Sequence, residues 1–180
     1  MIQAVTEKIS SWDSRICSRI FGWNGKVHLD GFMLLLTRSG DGYLYFPIAL
    51  LVFLADQAAG VTVLSAGVIA FIIEIPAQKI LKRKIKRSRP FETIPGIHHL
   101  VKPPDKFSFP SGHTAGAFIV SILTGSVFIV LFPVMIIWAI GVGISRVYNG
   151  VHYPTDVIAG AVLGSLSAYT GLFIVKFLLL

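Results

Sequence analysis

The sequence is poor in charged residues and in cysteine, and both scarcities limit what the protein can be. Only 14% of its 180 residues are charged while 54% are hydrophobic, and the mean hydropathy is +0.74. A soluble domain of this length carries more charge, so the composition predicts an integral membrane protein with a single domain, residues 1–180. Cys17 is the only cysteine, which excludes an internal disulfide.

Acidic residues are scarcer than basic ones. The chain has 9 Asp and Glu against 16 Lys and Arg, giving a formal net charge of +7. The basic residues concentrate at the N-terminus and between Lys79 and Lys106. This distribution indicates a face for anionic headgroups or phosphates. The first 24 residues lack the apolar core of a signal peptide.

Two amphipathic segments are predicted before residue 40. From Ile2 to Trp23, apolar residues recur at steps of three and four between charged ones, which is typical of a helix lying in the membrane interface. The alternative is an amphipathic helix packed on a soluble core. The run from His28 to Ser39 is too short to cross a bilayer, which predicts a second surface helix capped by Asp30 and ending near Gly40.

Five longer apolar segments follow, and we expect them to cross the membrane as helices. They run from Tyr43 to Val61, Val61 to Ile80, Gly112 to Phe132, Pro133 to Val147 and Val157 to Leu180. The fold class is therefore all-α, with residues 1–40 at the interface and residues 41–180 forming a catalytic helical bundle. Five alternating spans place the polar loops on one membrane face. Small residues at 160, 164 and 168 indicate close helix packing.

The stretch SRVYNGVHYPTD, residues 145–156, sets an arginine, a histidine and an aspartate between two apolar segments. Pro154 suits the first position of a helix, which would place Asp156 in the first turn. The Asp156 carboxylate can then fold back on one ring nitrogen of His152 and leave the other as a base or nucleophile. Arg146 offers a planar fork of donors to a phosphate. Alternatively, these residues cap two helices without any chemistry.

The run KRKIKRSRP contains two cations seven residues apart, Lys82 and Arg89. They share a helix face if the second span continues to its expected end before Pro90. Two cations on one face can grip one phosphate. A run this basic is also typical of a patch that binds headgroups or is merely solvated.

The stretch FPSGHTAG, residues 109–116, opens the third apolar segment and predicts a helix N-terminus there. Ser111 suits the N-cap, and a helix N-terminus presents free N–H groups to anions. Gly112 lets a ligand approach the backbone closely. His113 can act as a general acid on a leaving oxygen, although a lone histidine at a helix start is more often a structural hydrogen bonder.

Together these groups suit phosphoryl transfer, in which positioning and charge stabilisation supply most of the rate. His152, oriented by Asp156, would attack phosphorus and become a phosphohistidine, while His113 would protonate the leaving group and then activate water. No metal or other cofactor is expected, because three cations and a helix terminus already neutralise the charge. His98 and His99 lack metal-ligand spacing. The groups expected to hold the phosphate are Lys82, Arg89, Ser111, the Gly112 N–H and Arg146.

Three motifs in this order resemble the signatures of the type 2 phosphatidic acid phosphatase superfamily. They are KRKIKRSRP with Lys82, Arg89 and Pro90, PSGH at residues 110–113, and SRVYNGVHYPTD with Ser145, Arg146, His152 and Asp156. The superfamily includes integral-membrane lipid phosphatases and soluble vanadium-dependent haloperoxidases. The resemblance implies a helical bundle, a phosphohistidine at His152, an acid at His113, phosphate binding by the five groups named above, and metal-independent activity. Many members have six spans, so five or six are expected here.

We therefore expect an integral-membrane lipid phosphatase whose substrate is a phosphorylated lipid held in the bilayer. An isoprenoid diphosphate such as undecaprenyl diphosphate, a phosphatidylglycerophosphate or phosphatidate, and a lipid A phosphate all stay open. The alternatives are a lipid phosphotransferase that uses the same site and a non-enzymatic membrane protein that binds anionic lipid. Neither nucleic acid nor an obligatory protein partner is expected.

The expected location is a bacterial inner membrane with the active site at the periplasmic face. The basic residues near the site oppose this orientation, because positive loops usually face the cytoplasm. Bacterial relatives in the superfamily mostly act on the outer face.

Overall fold

The computed structural model describes residues 2–179, although not the side chains at 2–6, 8 and 179. This part of the chain is all helical, with no β-strand, as predicted. The helices are α1 Ile2–Phe21, α2 Val27–Ser39, α3 Tyr45–Ala55, α4 Gln57–Ile85, α5 Pro90–Thr93, α6 Gly112–Val127, α7 Phe132–Tyr148 and α8 Pro154–Leu179. A 3-10 turn, Ile129–Leu131, joins α6 to α7.

Three of the described helical segments are long and apolar enough to cross a membrane, namely those containing α4, α7 and α8. Two apolar helices are shorter, α3 with 11 residues and α6 with 16. At 1.5 Å per residue, α3 is only about 16 Å long, roughly half of a hydrocarbon core. The prediction of an integral membrane protein is confirmed by these helices, which leave many large apolar side chains exposed.

The boundary between the first two predicted spans is wrong. The sequence predicts it at Val61, but the chain turns at Asp56, where the backbone is extended. The Asp56 carboxylate accepts a hydrogen bond of 2.9 Å from Ala59 N and so caps α4. Just past this turn, Gly60 lies against Phe53, so that even a methyl group there would meet the Phe53 backbone at 2.3 Å. The turn therefore folds α3 tightly back on α4.

The prediction that Lys82 and Arg89 share one face of a helix is also wrong. The α4 helix ends at Ile85, and Lys86 adopts a left-handed conformation with φ of 51°. A left-handed residue after the last turn is a common helix terminator. Arg89 instead occupies the N-cap position of α5. The chain reverses between the two cations rather than carrying them along one helix.

The first two helices lie against the bundle. On α1, Asp13, Cys17 and Phe21 form a buried face, whereas Trp12 is 43% exposed. This helix therefore packs on the protein with one face while apolar side chains remain exposed on another. The α2 helix ends at Ser39 as predicted, but its cap differs from our expectation.

The residue at the N-cap position of α2 is Lys26, whose side chain forms no capping hydrogen bond. Asp30 lies within the first turn and accepts hydrogen bonds from Gly25 N and from the Tyr148 hydroxyl. Asp30 is thus used to tie α2 to the end of α7 rather than to begin the helix.

Small residues bring α8 close to its neighbours. A methyl group at Gly160 would lie 2.3 Å from Ser111 O, and one at Gly164 would lie 2.2 Å from Ala115 O. Ala168 is fully buried. These contacts confirm the predicted packing stripe. They hold α8 against α6, so that the start of α8 and the start of α6 lie at the same end of the bundle.

Candidate active site

A cavity of about 270 Å³ opens at the end of the bundle where the three sequence motifs meet. It is built from the second half of α4, the start of α6 and three loops, namely those between α2 and α3, before α6, and between α7 and α8. Five of the eight predicted site residues line it, namely Lys82, Arg89, Gly112, His113 and His152. Four polar residues that the motifs did not indicate also line it: Asp41, Glu74, Gln78 and Asp105.

His152 is held in a buried loop just before α8, and its two ring nitrogens face different groups. Nε2 lies 3.5 Å from Arg89 Nη1. A guanidinium can only donate, so this contact favours a lone pair on Nε2 and the proton on Nδ1. Burial is the main effect that lowers the pKa of His152; the nearby Asp156 raises it, the charges of Arg146 and Arg89 lower it further, and the resulting pKa is about 3. His152 is therefore a neutral imidazole at physiological pH.

Asp156 lies beside His152 as predicted, but the contact is looser than a hydrogen bond. Asp156 Oδ2 is 3.6 Å from His152 Nδ1 and accepts a hydrogen bond of 2.8 Å from Tyr153 N. Its other oxygen, Oδ1, accepts from Arg87 Nη1 at 2.6 Å. Pro154 begins α8 and places Asp156 in the first turn, as the sequence predicted.

Lys82 and Arg89 both bind one carboxylate. Lys82 Nζ is 2.5 Å from Asp105 Oδ2, and Arg89 Nη2 is 2.8 Å from Asp105 Oδ1. Burial alone would raise the pKa of Asp105, but the hydrogen bond from Lys82 and the two positive charges outweigh it, and the pKa falls below its usual value. Both cations are buried, so this end of the cavity is suited to an anion.

Arg89 is additionally fixed by the backbone. Its Nη1 donates to Val151 O at 2.7 Å and its Nη2 donates to Phe107 O at 3.0 Å. These bonds aim the guanidinium at His152 and explain how a side chain outside α4 reaches the same place as Lys82.

His113 lies in the first turn of α6, and its Nε2 is 2.7 Å from Asp41 Oδ1. An ionised carboxylate only accepts hydrogen bonds, so Nε2 carries a proton at this contact. Asp41 comes from the loop between α2 and α3, next to Gly40 and Gly42, which also line the cavity. A protonated ring nitrogen therefore borders the cavity that His152 enters.

Ser111 and Arg146 do not line this cavity. Ser111 is fully buried at the N-cap position of α6, but its hydroxyl makes no capping bond and instead accepts from Thr114 Oγ1 at 2.9 Å. Ser111 thus occupies the predicted N-cap position, but its side chain does not cap the helix. Arg146 is buried, donates to Thr37 Oγ1 at 2.5 Å and borders a neighbouring cavity.

Two further cavities adjoin the first. One, of about 670 Å³, shares His113 and Asp41 with it and is also lined by Arg38, Lys102 and Arg146. The other is an apolar groove of about 610 Å³ between α3, α4 and α6. The groove shares Phe71 and Ile75 with the polar cavity, so an apolar surface leads directly to the charged groups.

Sequence reasoning missed Asp41, Asp105 and Arg87. Asp41 stands between two glycines and Asp105 follows two prolines, and nothing in their spacing relates them to the motifs. Arg87 lies inside the basic run KRKIKRSRP, where nothing in the sequence distinguishes it from the other basic residues. The two loop histidines play no part in the cavity: His98 packs on Phe21, and His99 packs on Phe91.

Comparison with known proteins identifies the family. The family model of the PAP2 superfamily matches residues 57–178, about two-thirds of the chain. The chain belongs to the PAP2 superfamily. It is 36% identical over 155 residues to undecaprenyl-diphosphatase of Sulfolobus acidocaldarius, an alignment that covers 82% of this chain and 71% of that protein.

Two solved PAP2 structures share the fold. One is the PAP2-type phosphatidylglycerolphosphate phosphatase of Bacillus subtilis, with a TM-score of 0.74, 26% identity and coverage of 94% of this chain and 87% of that one. The other is LpxE of Aquifex aeolicus, with a TM-score of 0.76, 24% identity and coverage of 90% and 95%. The predicted enzyme class, a metal-independent lipid phosphatase of this superfamily, is confirmed.

Proposed function

We propose that this PAP2 enzyme hydrolyses a phosphate from a bilayer lipid through a phosphohistidine at His152. The observation that carries the proposal is the shared cavity, which contains a neutral imidazole, a second histidine with a protonated nitrogen, and two buried cations. Lys82 and Arg89 would hold the phosphate oxygens, assisted by the Gly112 N–H. Arg146 would add positive charge and Ser111 would shape the N-terminus of α6, although neither residue lines the cavity.

In the first step, Nε2 of His152 would attack phosphorus, forming the P–N bond as the P–O bond to the lipid breaks. His113 would act as the doubly protonated imidazolium and pass one ring proton to the departing oxygen, which leaves it neutral. In the second step, water would lose a proton to His113 and attack the phosphohistidine, which releases inorganic phosphate and restores both histidines. Asp156 would stabilise the positive charge that develops on His152.

The lipid tail would lie in the apolar groove between α3, α4 and α6. This groove meets the polar cavity at Phe71 and Ile75, so a tail in the groove leaves the headgroup at Lys82 and Arg89. Binding energy from the tail would thereby position the phosphate for attack.

Among lipid phosphates, we propose a polyprenyl diphosphate as the substrate. The similarity to undecaprenyl-diphosphatase supports this choice. The cavity beyond His113 also supports it, since Arg38, Lys102 and Arg146 line that cavity and could neutralise a second phosphate. A phosphatidylglycerophosphate, a phosphatidate or a lipid A phosphate offers the same scissile group with a different neighbour.

We further propose that α3, α4, α6, α7 and α8 form a five-helix membrane bundle within one domain, with α1 and α2 at the interface on the active face. The active face would be periplasmic in a bacterial inner membrane. A cysteine substituted for the exposed Glu7 and tested with a membrane-impermeant thiol reagent in intact cells would determine the side.

The test is phosphate release by the purified protein from farnesyl diphosphate, phosphatidate and phosphatidylglycerophosphate, with and without a chelator. The wild type should bind radiolabelled phosphate covalently through a bond that is acid-labile and alkali-stable. The control His99→Ala should be labelled in the same way, and His152→Ala should not be labelled. Transfer of phosphate to an added lipid alcohol rather than to water would indicate a phosphotransferase. Normal turnover by His152→Ala would refute the phosphohistidine.

A further inference from the structure

Asp156 is held by Arg87, a residue to which the family resemblance assigns no role. Arg87 donates from Nη1 to Asp156 Oδ1 and from Nη2 to Asp13 Oδ2, each at 2.6 Å. Both carboxylates are fully buried. One guanidinium thus bridges two buried carboxylates, which is a use of the planar fork that lysine cannot reproduce.

The second carboxylate comes from α1. Asp13 also accepts from Thr155 N at 3.0 Å and from the Thr155 hydroxyl. Thr155 is the second residue of α8, so Asp13 satisfies an N–H group at the start of the helix that carries Asp156. Residues 57–178 match the family model, and Asp13 lies outside that match.

The orientation of His152 depends on this arrangement. With Oδ1 of Asp156 bound to Arg87 and Oδ2 bound to Tyr153 N, the carboxylate cannot rotate away from the imidazole. Tyr153 is itself covered by the Arg87 guanidinium, 4.0 Å from the ring centroid. Asp156 Oδ2 lies 3.6 Å from His152 Nδ1, too far for a hydrogen bond. The attraction of the carboxylate for the ring therefore depends on where Arg87 and Tyr153 hold that carboxylate.

We infer that Asp13 and Arg87 are positioning residues for the nucleophile, and that α1 is therefore part of the active site. They act through Asp156 and touch neither phosphate nor leaving group. This inference rests on the proposed function, because it requires His152 to be the nucleophile. It also gives α1 a role in the reaction in addition to its contact with the bilayer surface.

The test uses full-length Asp13→Asn and Arg87→Lys in detergent, with farnesyl diphosphate as substrate and inorganic phosphate as a competing product. Glu7→Gln and Arg83→Lys are matched controls, because they make the same two kinds of change, Asp or Glu to amide and Arg to Lys, at exposed positions on α1 and α4. We expect kcat to fall about 10- to 100-fold in Asp13→Asn and Arg87→Lys, as for other outer-shell partners. KM and the inhibition constant for inorganic phosphate should stay within about twofold, since the phosphate contacts are unchanged.

The double variant should lose little more than the poorer single variant, because the two residues act as one unit. Wild-type kcat in monodisperse Arg87→Lys or Asp13→Asn would overturn the inference, and so would a parallel loss of affinity for inorganic phosphate. If Asp13→Asn is not monodisperse, Arg87→Lys decides alone, and Asp13→Glu replaces it in the cycle. Full activity of His152→Ala would refute the proposed function instead. An inactive His152→Ala beside normal Asp13 and Arg87 variants would refute the positioning role alone.

Discussion

The carboxylate of Asp105 lies 2.5 Å from the ammonium of Lys82. Its other oxygen lies 2.8 Å from Arg89 Nη2, so both cations proposed to hold the phosphate already share an anionic partner. A substrate phosphate that binds Lys82 would compete with this carboxylate or share the cation with it. Asp105 is 43% exposed and lies in the loop before α6, so a phosphate that displaced its carboxylate would leave that carboxylate in water.

We predict that Asp105→Asn binds orthovanadate more tightly, by about tenfold, because a competing negative charge is removed from the anion site. The same substitution should lower the melting temperature measured without vanadate, since two buried cations then lack their counter-ion. Isothermal titration and thermal scans with and without vanadate would measure both effects. Weaker vanadate binding would instead make Asp105 a supporting group of the phosphate site.

The effect of Asp41 on the rate of hydrolysis should depend on how strongly the leaving group requires protonation. It keeps a proton on Nε2 of His113, so Asp41→Asn is expected to slow hydrolysis of farnesyl diphosphate or an alkyl phosphate about tenfold. The same variant should hydrolyse p-nitrophenyl phosphate within about twofold of wild type, since nitrophenolate departs without protonation. An equal loss on both substrates would assign Asp41 to folding of the loop between α2 and α3.

The buried His152 should make the fold sensitive to acid. Its folded-state pKa is about 3, below the ordinary value of 6.5. Between these two pH values, His152 is protonated in the unfolded chain but not in the folded one, which favours unfolding. The stability contribution is complete above pH 6.5 and declines as the pH falls toward 3. Melting temperatures between pH 8 and pH 4 should fall more steeply for the wild type than for His152→Asn. Parallel curves would contradict the depressed pKa.

The contact of α8 with α6 leaves no room for a side chain. At Gly164 a methyl group would lie 2.2 Å from the Ala115 carbonyl oxygen, which belongs to a helix backbone and cannot move aside. We expect Gly164→Ala to destabilise the protein by about 1–3 kcal/mol and Gly164→Val to prevent assembly. Gly67→Ala is the control, because its methyl group would meet only the Leu123 side chain at 3.5 Å. Thermal scans in detergent would compare them.

The motif residues and the helix starting at Pro154 could be predicted because each rests on local chemistry. Proline at a first helical position, glycine spacing along α8 and the order of the motifs are all visible in the sequence. The resemblance then indicated which side chains should converge.

Other features depend on distant contacts that no local pattern encodes. The turn at Lys86 replaced an expected continuous helix, and only the folded chain shows that Arg89 nevertheless reaches the carboxylate bound by Lys82. Asp13 and Arg87 are 74 positions apart, and each resembles an ordinary charged surface residue in the sequence. Long-range ion pairs of this kind leave no periodicity to read.

The junction of the apolar groove with the polar cavity at Phe71 and Ile75 affects how a lipid can reach and leave the site within the membrane. A lipid that enters sideways along this groove need not leave its own leaflet, and its dephosphorylated product returns to the same monolayer while phosphate escapes to water. The orientation in which the chain is inserted would then decide which monolayer is processed, and supply of substrate would depend on lateral diffusion and on flipping by other proteins.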